Sequence, residues 1–316
     1  MLEPVVGVLD IGGTKTAAGL VDRGGAVLAR SRQPTPAAAG AEAVLATAGA
    51  LLESLSQSRP DLRLAALGVG SAGVIDPDTG IVLGATDALP GWAGTDLRGA
   101  LAASTGVPVA VRNDVHAHAL GEAAHGAGAG HPSMLFVAVG TGIGGALVVR
   151  QMPGGLLTGA HAAAGHVGHV PSTHAAGLAC TCGGTGHLEA LASGPGLVAE
   201  LERRTGQEVT DLRDVAARAA AGDTAAREVV ELGGRAVGAV VGGLVNVLDP
   251  SIVVVGGGVA NLGARWWDAL REAASAEVMP AVRGTPLVAS SLGDEAALLG
   301  AASLAWDLVE QEASLG

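Results

Sequence analysis

The stretch "VVGVLDIGGTKTAAGLVD", residues 5–22, decides the fold class of this chain. It has the pattern of an apolar strand, a turn rich in glycine and threonine, and a second apolar strand. The stretch "MLFVAVGTGIGGALVVR", residues 134–150, repeats that plan about 130 residues later. The two stretches indicate an internal duplication.

Strands and helices alternate outside these two stretches. This alternation is typical of α/β layers in which helices cover sheets. We expect two such domains, with the last helix packing back on the first. The predicted strands lie at 64–70, 107–111 and within 251–258, and the predicted helices at 41–55, 96–104, from Asp114 onward, within 195–248, at 261–274 and at 294–308.

No low-complexity linker separates the domains, and the boundary is expected near residues 114–130, where "GEAAHGAGAGHP" turns. The smaller N-terminal α/β domain would comprise residues 1–116 and 293–316. The larger α/β domain would comprise residues 117–292 and include a loop, residues 165–190, that contains both cysteines.

Composition excludes several function classes. The 316 residues are 49% hydrophobic and 15% charged, enough to bury the cores of two domains. A net charge of −12 would repel a phosphate backbone, so nucleic acid is not an expected partner. The N-terminus lacks a basic segment followed by an apolar one, and polar residues and a proline interrupt the most apolar region, 236–258. We therefore expect a soluble cytoplasmic protein without a membrane partner.

Three glycine-rich turns are candidates for binding phosphate. Their backbone N–H groups can approach an oxyanion without a Cβ in the way, and Asp10 can hold magnesium through water. The spacing is neither that of a Walker loop nor that of a dinucleotide-binding fingerprint. Each turn alone could be an ordinary connection, but their order and duplicated context favour nucleotide binding. The candidate residues are Asp10, Gly12, Gly13, Thr14 and Lys15, then Gly140, Thr141 and Gly142, then Gly256, Gly257 and Gly258.

Six motifs in order resemble those of the ROK family of bacterial sugar kinases and related repressors. They are "LDIGGTKTAAGLVD", "VGSAGVIDPDTG", "RNDVHAHALGE", "VGTGIGGALVV", "GHVGH" with "CTCGGTGHLEA", and "VVVGGGV", between about residues 5 and 302. The resemblance implies two α/β domains with the actin/hexokinase-like ATPase fold, in which duplicated ribonuclease H-like domains close over ATP and a sugar. It also implies MgATP as the phosphoryl donor and a homodimer.

Asp114 is the candidate general base for phosphoryl transfer to a sugar hydroxyl. It follows a predicted strand and starts a helix, and the family's catalytic aspartate occupies this position. The alternative is that Asp114 only caps that helix. The resemblance assigns Gly73 and Asn113 to the sugar, and Glu122, later in the same helix, is expected to be solvated.

The loop at 165–190 is a candidate zinc site. A tetrahedral zinc needs four nitrogen or sulfur ligands, and His169, Cys180, Cys182 and His187 supply them within nineteen residues. Four protein ligands close the coordination shell, so such a zinc would be structural. In the family the pattern is usually one histidine with three cysteines, and His187 stands where the third cysteine usually is. His174 is a spare donor, and two inert thiols are the alternative.

The resemblance also places His169 and Glu189 against the sugar, with His169 using one ring nitrogen for sugar and the other for zinc. Two positions depart from the family. His166 stands where most members have a glutamate that accepts hydrogen bonds from the sugar near C1 and C2, and "ATDALPGW", residues 85–92, lacks an asparagine, so Asp87 or the backbone must substitute. An imidazole can donate to an acetamide carbonyl, so an N-acetylated C2 becomes tolerable.

We therefore predict phosphorylation of the 6-hydroxyl of N-acetylmannosamine or a related N-acetylhexosamine, with glucose as the alternative. A non-catalytic sugar sensor would have lost Asp114 or the glycine turns, and all are present. A repressor of the family would carry a helix-turn-helix segment ahead of the first glycine turn, whereas Asp10 is the tenth residue here.

Overall fold

The first strand of the chain has an uninterrupted apolar run at residues 4–9, as expected of a strand whose sheet is covered by helices on both faces. The structure is a computed structural model that describes residues 2–86 and 89–315. Its strands are β1 (Glu3–Ile11), β2 (Lys15–Val21), β3 (Val27–Pro34), β4 (Leu62–Ser71), β5 (Val74–Ile75), β6 (Val82–Gly84), β7 (Val109–Asn113), β8 (Ser133–Val139), β9 (Ile143–Val149), β10 (Val253–Gly256) and β11 (Leu287–Ala289).

The helices follow the same chain order, and contacts within the chain divide it into two units. Unit 1 comprises Met1–Gly130, Val148–Ala164 and Ser291–Gly316, and unit 2 comprises His131–Leu147 and Gly165–Ser290. The α-helices are α1 (Ala41–Ser58), α2 (Leu97–Thr105), α3 (Asp114–His125), α4 (Leu188–Ala192), α5 (Gly194–Thr205), α6 (Leu212–Ala221), α7 (Thr224–Leu248), α8 (Ala264–Glu277) and α9 (Glu295–Leu315).

Unit 1 is built on a five-stranded sheet with the order β3-β2-β1-β4-β7. Strands β1, β4 and β7 are parallel, and β2 pairs antiparallel with β1. Val5 and Leu9 of β1 belong to the core that includes α1 and α2, whereas Val6 and Val8 belong to the core on the opposite face, with α9. Burial on both faces explains why β1 lacks polar alternation.

Helix α3 approaches α9 closely through two glycines. A Cβ on Gly121 would collide with the backbone of Ala296, and one on Gly300 would collide with the backbone of Ala117. Glycine at both positions therefore sets the helix separation. Because α3 begins at Asp114, this packing also fixes the position of the candidate base.

Unit 2 contains a four-stranded sheet with the order β11-β10-β8-β9. The last two residues of β9 are assigned to unit 1. Strand β10 is parallel to both β8 and β11. The core of the unit joins the valines of β8 and β10 to α5, α7 and α8. In the register of β10 and β8, Gly256 lies opposite Ala138, so the glycine turns that follow the two strands begin at the same edge of the sheet.

The predicted α/β class is confirmed. The last helix, α9, packs on β1 and β4, and besides the two larger sheets β5 and β6 form a two-stranded sheet. The sequence does not predict β3, β5, β6 or β11. Strand β3 is an exposed edge strand, and the other three have only two or three residues. Helix α3 lies wholly in unit 1, whose first segment ends at Gly130. Among the described residues, no helix is both long and apolar enough to cross a membrane.

Candidate functional site

The first glycine turn joins β1 to β2 and is held in shape by Thr35. The N–H of Gly12 donates to the carbonyl of Lys15 at 3.0 Å, which closes the turn. Thr35 donates its hydroxyl to the carbonyl of Gly12 at 2.7 Å and its N–H to the carbonyl of Thr14 at 3.0 Å. Sequence reasoning missed Thr35, since nothing in the sequence links this loop threonine to a turn about 20 residues earlier.

Asp10 lies at the end of β1, among other charged groups of unit 1. Burial raises the pKa of its carboxyl to about 6, the charge of Asp114 adds to that rise, and His118 and Lys15 oppose it. Lys15 is itself paired with Asp294 at 3.1 Å, which holds the pKa of Asp294 below its usual value. A buried carboxyl beside a second carboxylate fits a bound divalent cation, because a cation offsets both charges.

Asn113, rather than Asp114, caps helix α3. Its Oδ1 accepts the N–H groups of Val115 and His116 at 2.9 and 3.3 Å. Its amide nitrogen donates to the carbonyl of Gly73 at 2.8 Å, so two predicted sugar-binding residues lie together. Asp114 is the first helical residue, and one of its carboxylate oxygens accepts the N–H of Val115 at 2.9 Å. The helix therefore does not depend on Asp114 for its cap.

The expectation that Glu122 is solvated is wrong. Its side chain is fully buried, because α3 packs this face against the segment that leads into α9. The carboxylate accepts the N–H groups of Ser291 and Leu292, both at 2.9 Å, and that of Ala127 at 2.8 Å. The hydroxyl of Ser291 donates to it as well, at 3.2 Å. Glu122 thus ties the end of α3 to the start of α9.

In unit 2 the second and third glycine turns lie against each other. A Cβ on Gly257 would collide with the backbone of Val139, and Gly257 has a φ of +92°, which favours glycine. A Cβ on Gly140 would lie 4.0 Å from the nitrogen of Gly258. The two predicted nucleotide-binding turns therefore lie together at one edge of the sheet, and Thr141, Gly257 and Gly258 are exposed there. Thr141 and Gly142 lie in the second turn, between β8 and β9.

Glu189 connects the second glycine turn to the cysteine loop. It lies in the first turn of α4, and its Oε2 accepts the N–H of Ile143 at 2.7 Å. Its Oε1 accepts the hydroxyl of Thr181 at 3.0 Å. Sequence reasoning assigned Glu189 to the sugar but did not identify Thr181, which lies between the two cysteines.

The four predicted zinc ligands come together in unit 2. The candidate ligand atoms of His169, Cys180, Cys182 and His187 all lie within 4.8 Å of one another. Sγ of Cys180 is 3.6 Å from Nδ1 of His169, and Sγ of Cys182 is 3.2 Å from Nδ1 of His187. Ligand atoms around a tetrahedral zinc lie about 3.3–3.8 Å apart, so the donor set fits that metal and the two closest pairs already have nearly that spacing.

His169 turns Nδ1 toward Cys180, which leaves Nε2 on the other side of the ring for a second role. Burial raises the pKa of the Cys180 thiol, and a metal must displace its proton to bind the thiolate. His174 is exposed and is not part of the cluster of four.

His166 lies beside the metal cluster, with its ring stacked on that of His169. The ring centroids are 6.0 Å apart and the planes differ by 15°. His166 is exposed, and it precedes the short 3-10 helix Val167–His169. Asp87, the other departure from the family pattern, lies outside the described residues.

Comparisons with known proteins agree with these motifs. The model of the ROK family matches residues 6–307. A glucokinase from Halalkalibacterium halodurans is 32% identical over 98% of this chain and 96% of its own length. An N-acetylmannosamine kinase from Escherichia coli is 34% identical over 94% of this chain and 97% of its own length.

The structure is also similar to a solved kinase with ligands. A ROK family glucokinase from Streptomyces griseus, crystallised with glucose and AMPPNP, is 30% identical. It has a TM-score of 0.80 and covers 96% of this chain and 99% of its own. Glucokinases and N-acetylmannosamine kinases thus match at similar identity, and the comparison alone does not choose between the two sugars.

Proposed function

This chain belongs to the ROK family, and we propose that it is an ATP-dependent kinase that phosphorylates the 6-hydroxyl of N-acetylmannosamine or a closely related N-acetylhexosamine. Both kinds of curated relative are sugar kinases that match over nearly their whole length. The glycine turns, Asp10, Asn113 and Asp114 are all present, as a kinase requires and a non-catalytic sugar sensor does not.

One observation carries the catalytic assignment: Asn113 supplies the cap of α3, and Asp114 follows it as the first helical residue. Oδ1 of Asp114 accepts the N–H of Val115, and within residues 2–86 and 89–315 no backbone N–H donates to Oδ2, so Oδ2 would take the proton of a sugar hydroxyl. A base of this kind makes the attacking oxygen a better nucleophile as the γ-phosphoryl group is transferred. Asn113 and Gly73, joined by a hydrogen bond, would orient the sugar beside it.

The glycine turns would hold the nucleotide. Backbone N–H groups of the first turn and of the turn at Gly140–Gly142 would face the phosphates, and Gly256–Gly258 would border the base and ribose. Asp10 would hold magnesium through water, and magnesium bound with ATP neutralises charge on its phosphates. Zinc at the four-ligand cluster would only order the loop, since no coordination position is left for a reacting water.

His166 supports an N-acetylated substrate. A glutamate at this position could accept hydrogen bonds from two free hydroxyls, whereas an imidazole has one acceptor nitrogen at most and can donate from the other. Its ring is exposed and stacked on His169, so it presents an edge and a flat face to a ligand. An acetamide offers a carbonyl acceptor and a flat group of its own, which suits that arrangement.

The test compares kcat/KM for N-acetylmannosamine, N-acetylglucosamine and glucose in the wild type and in His166→Glu. We expect an N-acetylhexosamine to be preferred by the wild type and the preference to move toward glucose in the variant. His161→Glu is the matched control, because His161 is also an exposed loop histidine but precedes the loop at 165–190, in which His166 stacks on His169. A wild type that strongly prefers glucose would contradict the sugar assignment and leave the kinase assignment standing.

Glucose is the second candidate. The glucokinases of H. halodurans and S. griseus match across nearly their whole chains, at identities close to that of the N-acetylmannosamine kinase. The assay above includes glucose for this reason. If none of the three sugars is phosphorylated in the presence of MgATP, both candidates are contradicted.

A further inference from the structure

The hydroxyl of Thr181 joins the metal loop, residues 169–187 with the four candidate zinc ligands, to Glu189. Thr181 lies between Cys180 and Cys182, and its Oγ1 donates to Oε1 of Glu189 at 3.0 Å. The backbone N–H of Ile143 donates to the other oxygen, Oε2, at 2.7 Å. Two donors from two different segments therefore hold the two oxygens of one carboxylate.

This arrangement removes the freedom that a glutamate side chain ordinarily has. Rotation about its terminal torsion is broad and roughly two-fold, so a carboxylate with one donor can still turn. The surroundings of Glu189 are also tight. A Cβ on Gly168 would lie 3.2 Å from Cβ of Glu189, and a Cβ on Gly142 would lie 2.7 Å from its Oε2. Glycine at both positions lets the carboxylate lie directly against the second turn.

We propose that Thr181 is a positioning residue for sugar binding, whose hydroxyl orients the carboxylate of Glu189. The proposal rests on the proposed function, in which Glu189 contacts the sugar. Thr181 itself touches no substrate. A carboxylate that is oriented before the ligand arrives does not have to be ordered during binding, and ordering one long side chain typically weakens affinity about 3- to 10-fold.

The metal loop supplies the rigidity that makes Thr181 effective. Thr181 is exposed, so its position depends on the two cysteines beside it in the chain. With both thiolates bound to zinc, the backbone between them cannot move far. The same zinc that orders the loop would thereby hold the Thr181 hydroxyl against Glu189, without any direct contact between metal and sugar.

The experiment uses Thr181→Val, which has nearly the same shape but no hydroxyl, and Thr181→Ser, which keeps the hydroxyl. Zinc content by elemental analysis verifies that the loop is intact in each. Sugar affinity is measured by calorimetry without nucleotide, and KM and kcat are measured for sugar and ATP. We expect Thr181→Val to weaken sugar affinity and raise the sugar KM about 3- to 10-fold. The values of kcat and ATP KM should stay within about two-fold, because Ile143 still holds Oε2.

Thr181→Ser should resemble the wild type in all of these measurements. Wild-type sugar affinity in Thr181→Val would overturn the proposal, and so would an equal loss in Thr181→Ser, which would trace the effect to packing of the threonine methyl group. A wild type that phosphorylates no sugar would instead contradict the proposed function, so the two failures are distinguishable.

Discussion

The side chain of Asn113 donates to the carbonyl of Gly73, 40 residues earlier in the chain, at 2.8 Å, while its oxygen caps α3. One amide therefore fixes both the start of the helix that carries Asp114 and the turn after β4. The two halves of the amide have different roles, and substitutions can separate them.

We expect Asn113→Ala to lower the free energy of unfolding by roughly 1–3 kcal/mol, because the variant loses both the cap of α3 and the hydrogen bond to the carbonyl of Gly73. Asn113→Ser keeps a cap but cannot reach Gly73 with an amide, so it should recover about half of that loss. Urea denaturation of both variants measures the difference. Equal stability of the alanine variant and the wild type would contradict the capping role.

Glu122→Gln tests the buried carboxylate. A glutamine has one acceptor oxygen and turns an NH2 group toward backbone donors that the carboxylate now satisfies. We expect a loss of roughly 2–4 kcal/mol in the free energy of unfolding. Glu53→Gln, at an exposed position on α1, is the matched control and should change stability little. A loss no larger than that of the control would contradict the role assigned to Glu122.

The sequence predicted elements with strong local signals and missed what depends on tertiary contacts. The apolar run of β1 and the glycine turns are local patterns, and the four candidate zinc ligands lie within one short loop. Glu122 has the local sequence of a solvated helix residue, and only its packing against the start of α9 reveals that it is buried. The role of Thr35 was not predicted for the same reason, because its hydrogen bonds to the first turn form only in the folded chain.

The sequence also does not show which residue of "ND", Asn113 or Asp114, caps helix α3. Asparagine and aspartate are about equally good caps, so the dipeptide alone does not say which one performs that role. The backbone decides: Asn113 has extended dihedral angles, and the helix begins at Asp114.

The metal prediction concerns the cluster of His169, Cys180, Cys182 and His187. Protein purified without added metal should contain about one zinc per chain by elemental analysis, and Cys182→Ser should lower both zinc content and thermal stability. His174→Ala is the control, because His174 lies in the same loop but outside the cluster. A fully active, metal-free wild type would contradict the structural role of zinc.

Asp10→Asn tests the electrostatics of the first turn. The folded state raises the pKa of Asp10 from 3.8 to about 6, mainly through burial, so it binds this proton more tightly than the unfolded chain does. Stability is therefore lost as the pH rises through about 6, and the full cost of the charge is present at pH 8. In magnesium-free buffer, Asp10→Asn should gain roughly 1–3 kcal/mol at pH 8 and nothing near pH 3.5.

Asp61→Asn is the control, because the fold shifts the pKa of Asp61 in the opposite direction. Its hydrogen bond to Arg59 lowers the pKa of Asp61, so the charge stabilises the fold above the pKa of the unfolded chain. The asparagine variant should gain no stability at pH 8. If Asp10→Asn shows no pH-dependent gain over this control, the buried charge at Asp10 does not oppose folding.

The central claim is that Asp114 is the general base of a sugar kinase, and the turnover of Asp114→Asn tests it most directly. Measured with MgATP and the preferred sugar, kcat should fall by about 10²- to 10⁴-fold, while calorimetric affinities for sugar and nucleotide stay within a few-fold of wild type. That result would separate loss of the base from loss of binding. An Asp114→Asn variant that retains a tenth or more of the wild-type kcat would contradict the assignment.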